Sequence, residues 1–361
     1  DDGTATIVQP LIAPLSGGRT SHEVMAALSG RSNAQPYDLV REYWQGRYDG
    51  RDFDVFWQSA LRDGIVAGTT LPAKAVVLRS DWDKPTPVAK ADGLEIAFRP
   101  DPYLRDGRGA GNGWLLELTR PITKLTWDNA ALLAPATAER LGVDNEDVVE
   151  LALRGRVVRA PVWIVPGHAP DAVTVQAGFG RRRGAGVGTG AGFDPYVLRT
   201  IDALDASSGL AVRKTGARAA LATTQEHQLM EGRPLALSGT IAEYRAHPDF
   251  AREAAESPPR ELTLYPEHPY TGYAWGMAID LGACIGCNAC TLACQAENNI
   301  PVVGKTEVAR GHEMNWIRVD RYYGGDLDDP TIIHQPVPCM HCENAPCEVV
   351  CPVNATVHDS E

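Results

Sequence analysis

All eight cysteines of this 361-residue chain lie between Cys284 and Cys351, and residues 1–283 contain none. They fall into two motifs. The first, Cys284-Ile285-Gly286-Cys287-Asn288-Ala289-Cys290-Thr291-Leu292-Ala293-Cys294, has the spacing C-x2-C-x2-C-x3-C. The second runs Cys339-Met340-His341-Cys342, Cys347 and Cys351-Pro352, with the spacing C-x2-C-x4-C-x3-C-P. A disulfide scaffold would spread its cysteines along the chain, and neighbours three apart would close strained rings. Structural zinc sites draw four ligands from two separated pairs, so four cysteines packed into each of two short motifs are too dense for them.

The spacing does suit a cubane iron–sulfur cluster. Two-residue gaps let one tight loop present three thiolates to three iron corners while its N–H groups point at the sulfides. The fourth cysteine, three residues on, sits in the next helical turn and faces a different cluster, and Pro352 turns the chain aside. The predicted cofactor-binding and metal-ligating residues are therefore Cys284, Cys287, Cys290, Cys294, Cys339, Cys342, Cys347 and Cys351. Read alone, the two motifs cross-ligate: Cys284, Cys287 and Cys290 with Cys351, and Cys339, Cys342 and Cys347 with Cys294. His341 reads as a structural neighbour rather than a ligand, and Asn288, Asn298 and Asn344 as turn-shaping residues. These motifs describe a one-electron carrier rather than a self-sufficient catalyst.

Composition removes other classes. The net charge of −12 leaves no basic excess for nucleic acid. No run approaches the roughly 18 to 20 apolar residues of a membrane span, so membrane association is expected through partner subunits. The chain opens Asp1-Asp2-Gly3 without an initiator Met or signal-peptide pattern and stops directly after a cysteine motif, which reads as a piece of something longer.

Four regions are expected. Residues 1–120 alternate helical pieces (His22 to Leu28, Pro36 to Trp44) with a strand-like Lys74 to Leu78. Residues 91–119 read as strands around a Gly-rich turn, Gly107 to Gly113. Residues 121–205 hold a short helix, Ala134 to Leu141, with Gly142 at the left-handed cap position. There the β-branched runs Val148 to Leu153 and Val157 to Val165 flank a hairpin at Arg154-Gly155-Arg156, and Ala172 to Gln176 adds a strand. This predicts a compact β-barrel-like domain. Residues 206–270 read as a linker that ends in the Pro-rich Ser257 to Pro269, where the main boundary is expected, and 271–361 form the cysteine module.

Gly178 to Gly192 reads GFGRRRGAGVGTGAG. It has neither G-x-G-x-x-G spacing nor a following Gly-Lys-Ser/Thr, so a partner-contacting loop is preferred to a cradle for a phosphorylated cofactor. Arg181, Arg182 and Arg183 read as a solvated face. No nucleophile elbow or HExxH motif appears, and His168 and His227 form no constellation.

Several longer stretches carry a specific likeness. Gly272 to Asp280, the first motif, Gln295 to Lys305, Met314 to Tyr323 and Gln335 to Pro338 leading into the second motif resemble the iron–sulfur B subunit of bacterial alternative complex III. Pro121-Ile122-Thr123-Lys124, Trp127 to Leu132 and Pro161 to His168 look like the dinucleotide-binding barrel of molybdopterin oxidoreductases, fused in that protein ahead of the ferredoxin-like domain. The resemblance covers residues 120–361 well and residues 10–30 weakly.

It implies an α+β, multidomain fold: a molybdopterin-oxidoreductase-like region with a double-psi β-barrel that carries no molybdenum and no molybdopterin, then a truncated ferredoxin-like domain. The family's full domain has four cysteine motifs holding three [4Fe–4S] clusters and one [3Fe–4S] cluster. There motif one pairs with motif four and motif two with motif three, so some ligands would lie beyond residue 361. It further implies an electron-relay role in quinol oxidation, in respiration or photosynthesis. The implied partners are an integral membrane quinol-binding subunit and multihaem cytochrome c subunits, on the periplasmic face of the cytoplasmic membrane. The rival readings are the electron-transfer subunit of a molybdenum oxidoreductase such as a polysulfide reductase, a zinc-stabilised interaction module, and a molybdopterin-binding enzyme using the Gly-rich run.

Overall fold

Thr20 receives the Glu23 N–H on its hydroxyl while the Glu23 carboxylate takes the Thr20 N–H, a reciprocal cap that starts helix α1 (Ser21–Leu28). Two more helices follow, α2 (Pro36–Gln45) and α3 (Phe53–Asp63). Asp52 caps the start of α3, and Gly64, at φ 71°, ends it in the left-handed region. Trp57 is 3% exposed and donates its indole N–H to the Tyr37 hydroxyl at 2.8 Å. The computed structural model describes residues 2–10, 16–84, 93–184, 186–254, 258–266, 269–273 and 276–357. The chain divides into two units, Asp1–Val88 and Ala89–Glu361. Lys74 to Leu78 forms no strand; Val76 and Val77 are 83% and 94% exposed. A β-branched run becomes a strand only with a partner ladder, and this one has none among the described residues.

The second unit contains a closed barrel of six strands: β1 (Leu94–Pro100), β3 (Ala131–Leu133), β4 (Asp147–Leu153), β5 (Arg156–Ile164), β6 (Ala172–Ala177) and β7 (Ala206–Arg218). Their order is β1-β6-β3-β5-β4-β7, with β1–β6 and β3–β5 parallel and the other pairs antiparallel. Burial alternates strictly along β4 and β6, so one face of each fills the interior. Ile96, Phe98, Leu133, Val149, Leu151, Val162 and Val173 make that core. The β4–β5 turn uses Arg154 (φ 50°) and Gly155 (φ 76°), two left-handed residues that match the strand twist of a tight hairpin. Helix α5 (Pro135–Leu141) starts on a proline and ends at Gly142 with φ 63°, as expected. A minor pair, β2 (Leu125–Thr126) and β8 (Ala222–Thr223), lies beside the barrel strands in sequence.

Two strands of the barrel fall outside residues 121–205. The first, β1, belongs to the stretch 91–119, whose second half forms helix α4 (Gly113–Glu117) because Asn112 caps it through the Leu115 N–H. The second, β7, lies at the start of the stretch read as linker. Only Leu210 of its thirteen residues is buried, so no apolar alternation marks it. Its ladders to β1 and β4 on either side close the barrel.

Short helices α6 (Ile241–Ala246) and α7 (Phe250–Ala254) lead to the Pro-rich stretch, whose described part holds one 3-10 turn, Arg260–Leu262; residues 255–257 and 267–268 lie outside the described residues. The boundary expected there does not separate the structure, because barrel and cysteine module share the unit Ala89–Glu361. That module consists of α8 (Ala289–Glu297), α9 (Lys305–Val308), an antiparallel hairpin of β9 (Ile317–Gly324) and β10 (Thr331–Pro338), and α10 (Pro346–Val349). Among the described residues, no helix is long and apolar enough to cross a membrane.

Candidate metal centre

The two motifs share a turn. Gly286 and His341 occupy the same place, directly before the second cysteine, and both are left-handed, at φ 66° and 49°. This bend lets a two-residue gap fold its flanking thiols toward one side. In the first motif Asp280 accepts the Gly282 and Ala283 N–H groups at 2.9 and 3.3 Å, fixing the chain as it enters Cys284. Asn288, at φ 56°, turns it into α8, which carries Cys290 and Cys294. Asn298 donates its amide to the Cys294 carbonyl at 3.0 Å and to Sγ at 3.6 Å. In the second motif Cys339 is tied to the Trp316 carbonyl at 2.7 Å, α10 carries Cys347, and Cys351 Sγ accepts the Ala355 N–H at 3.1 Å.

The donor set fits iron. All eight cysteines are free thiols. Backbone N–H groups of Ala355, Val353 and Thr356 pull the Cys351 thiol down to about 7, so much of it is thiolate at neutral pH. Among the described residues, no three His, Cys, Asp or Glu groups converge on a single ion. A cubane does not ask them to, because each thiolate binds its own iron.

His334, on β10, packs its ring on the Cys284–Cys287 loop. A Cβ built on Gly286 would lie 2.4 Å from His334 Nδ1, on a backbone already at φ 66°. Gly286→Ala is therefore expected to open this loop and lower iron per chain several-fold, while the β-barrel circular dichroism stays intact. Iron analysis of the variant at unchanged stoichiometry would refute that expectation.

The cysteine module is bolted to the segment between β1 and β3 and to the chain just after β8. Glu117, on α4, accepts N–H groups from Val303 (3.0 Å), Gly304 (2.7 Å) and the Trp127 indole (3.1 Å). Asn288 Nδ2 donates to the Thr119 carbonyl at 2.6 Å and to the Tyr103 hydroxyl at 3.1 Å, directly behind Cys287. Trp114 donates to the Ile300 carbonyl, Lys124 Nζ to the Val319 carbonyl, and Gln225 Nε2 to the Arg321 carbonyl. Behind this seam Arg120 and Asp101 form an ion pair at 3.0 Å, both almost wholly buried. Burial of the Tyr103 hydroxyl pushes it up to about 12, so it stays a neutral donor, to the Thr119 carbonyl at 3.0 Å.

Asn288 and Asn298 shape turns, as read from sequence, and Asn288 also joins the two parts. Glu117 and Arg120 carried no sequence signal, and Lys124 was read only as part of the barrel signature, because their seam partners are remote in sequence or defined only by burial. The Gly-rich run lines an open cleft of about 1060 Å³ with Arg159, Tyr196 and Val197. Gly178, Gly180 and Gly188 answer to close backbone packing: a Cβ on Gly188 would lie 1.9 Å from the Ala110 carbonyl, and one on Gly180 2.4 Å from the Asp194 nitrogen. Asp128 and Asn129 hold the end of the run through the N–H groups of Gly192 (2.7 Å) and Phe193 (2.9 Å).

Residues 283–355 match the 4Fe-4S dicluster domain. The chain is 42% identical over 85 residues to the iron-sulfur B subunit of a putative dimethyl sulfoxide reductase from Halobacterium salinarum, covering 23% of this chain and 32% of that protein. It is 42% identical over 89 residues to the menaquinone reductase iron-sulfur cluster-binding subunit of Nitratidesulfovibrio vulgaris, covering 24% and 34%. It is 38% identical over 91 residues to the B subunit of tetrathionate reductase from Salmonella typhimurium, covering 25% and 31%. The chain spans about a third of the length of these relatives. It carries a ferredoxin-like 4Fe-4S module similar to the iron–sulfur subunits of reductase complexes.

Proposed function

We propose that this chain is an iron–sulfur electron-relay subunit of a membrane-associated oxidoreductase complex. The observation that carries the reading is the pair of complete cysteine motifs, each bent by a left-handed residue directly before its second cysteine, within the region matching the dicluster domain. When bound, the clusters accept and pass single electrons. The chain's own residues hold and orient: eight thiolates ligate iron, Asn298 and the backbone N–H groups around Cys351 hydrogen-bond to sulfur, and the barrel segment 114–124 fixes the position of α8 and β9.

The proposed complex is the quinol-oxidising one, alternative complex III. Its partners are an integral quinol-binding subunit and multihaem cytochrome c subunits, on the periplasmic face. What favours it is the barrel hydrogen-bonded to the cysteine module within one unit. In this reading the barrel binds no molybdopterin, and cysteine motifs beyond residue 361 complete the cluster set, a [3Fe–4S] cluster included. The names of the relatives favour a second reading, the iron–sulfur subunit of a reductase of the molybdopterin type.

Isolation of the intact complex separates the two. The first reading expects brown absorbance, paramagnetic iron–sulfur signals on dithionite reduction, c-type haem and a quinol-binding partner. Molybdenum and pterin in a co-purifying catalytic subunit would favour the second. A colourless preparation containing zinc would sink both.

A further inference from the structure

Lys124 and Arg321 are 0% and 2% exposed. Neither forms an ion pair with a carboxylate among the described residues; the nearby Asp320 is engaged by Arg318 at 3.0 Å. Lys124 Nζ is held by the Val319 carbonyl, and Arg321 reaches Gln228 Oε1 at 2.8 Å and lies over the Tyr323 ring at 4.4 Å. Arg321 Nε has no hydrogen-bond partner among the described residues. Burying an unpaired cation is strongly unfavourable, so two in one place require a counter-charge.

The place is next to the first cysteine motif. Arg321 stands opposite His334 in the β9–β10 hairpin, and the His334 ring packs on Gly286, between Cys284 and Cys287. Lys124 lies close enough to feel the charge of Cys284, and His334 feels both Lys124 and Arg321. His334 Nδ1 is buried without a partner among the described residues, and burial followed by the two cations holds this imidazole below its ordinary range, so it stays neutral at neutral pH. Burial, then Arg321, brings Lys124 down to about 8, which still leaves it mainly charged at pH 7.

We propose that Lys124, supplied by the barrel segment, together with Arg321 is the counter-charge of the cluster on the Cys284–Cys287 loop and raises its reduction potential. A cubane bound by four thiolates is a net anion whose negative charge grows by one on reduction. A fixed cation in a poorly solvated seam therefore stabilises the reduced form more than the oxidised form. This gives the barrel a role in the relay: it places a charge that the cysteine module does not contain. Lys124 acts through the cluster's surroundings and ligates nothing.

The inference rests on the iron–sulfur reading, and one experiment keeps the two apart. In the intact complex, redox titration followed by paramagnetic resonance compares wild type with Lys124→Met and Lys124→Arg. Lys124→Met is expected to lower the reduction equilibrium of one cluster about tenfold, or about 59 mV for a one-electron couple, leaving the others in place. Lys124→Arg is expected to hold it near the wild-type value. Arg321→Gln shifts the same cluster in the same direction and serves if Lys124→Met does not assemble. No iron–sulfur signal in wild type defeats the reading of the cysteines and this proposal with it. Wild-type signals whose potentials ignore Lys124→Met, or equal shifts in the Met and Arg variants, overturn the charge assignment alone.

Discussion

Asp101→Asn is expected to destabilise the barrel unit by about 3–5 kcal/mol, because it leaves the Arg120 guanidinium buried without its anion. Asp101 is 1% exposed and Arg120 1% exposed, and the two carboxylate oxygens meet Nε and Nη2 at 3.0 and 3.3 Å. The two Nη1 hydrogens go to the Leu116 and Leu118 carbonyls, and the Phe179 ring covers the carbon at 5.2 Å. Asp101 Oδ1 also accepts the Tyr103 and Leu104 N–H groups at 3.0 and 2.8 Å, so the pair fixes both ends of the segment that holds the cysteine module. Adding Arg120→Met to Asp101→Asn removes the orphaned charge and is expected to recover part of the loss. Denaturant midpoints read from the strand circular dichroism measure the cycle. A single substitution within about 1 kcal/mol of wild type would show that water reaches Arg120 and that the seam is looser than its burial implies.

How much of this was legible follows from what each signal depends on. The cysteine ligands could be read because spacing along a loop is itself the constraint that a cubane imposes, and Gly286 and His341 meet that constraint with the same backbone angle sign. Strands β4 and β6 could be read because their buried positions alternate locally, and β5 because of its β-branched run after the Arg154-Gly155-Arg156 turn. Strand β7 could not. Held by ladders on both sides and largely exposed, its polar sequence resembles a linker until β1 and β4 are in place. Lys74 to Leu78 is the opposite case, apolar enough for a strand but without a partner strand among the described residues. The seam was the least visible, since Lys124 meets Val319 across 195 positions and Glu117 meets Gly304 across 187. Pro121-Ile122-Thr123-Lys124 stood out in sequence as a barrel signature, whereas in the structure its lysine belongs to the cysteine module's surroundings.

Glu117→Gln is expected to release the cysteine module from the barrel without unfolding either. The Glu117 carboxylate is 9% exposed and accepts three N–H groups, two of them from consecutive residues of the loop that enters α9. An amide of the same shape keeps one acceptor and turns a donor toward either Val303 or the Gly304–Trp127 pair. At least one buried N–H then loses its acceptor and faces another donor. With charge-assisted bonds contributing about 1.5–3 kcal/mol each, the loss is on the order of 3 kcal/mol, concentrated at this seam. The neighbouring Lys305–Asp128 pair is half-exposed on its lysine side and offsets little of that. Hydrogen exchange at Val303 and Gly304 should therefore quicken about a hundredfold while the β4–β5 amides keep their protection. Glu313 provides an independent readout. Burial raises its carboxyl above the usual range, and the Glu117 charge adds to the rise. A neutral residue at 117 should thus lower the pH at which Glu313 titrates. Uniform loss of protection across both parts would instead mean that barrel and module unfold as one cooperative body, and that Glu117 stabilises the whole rather than the joint.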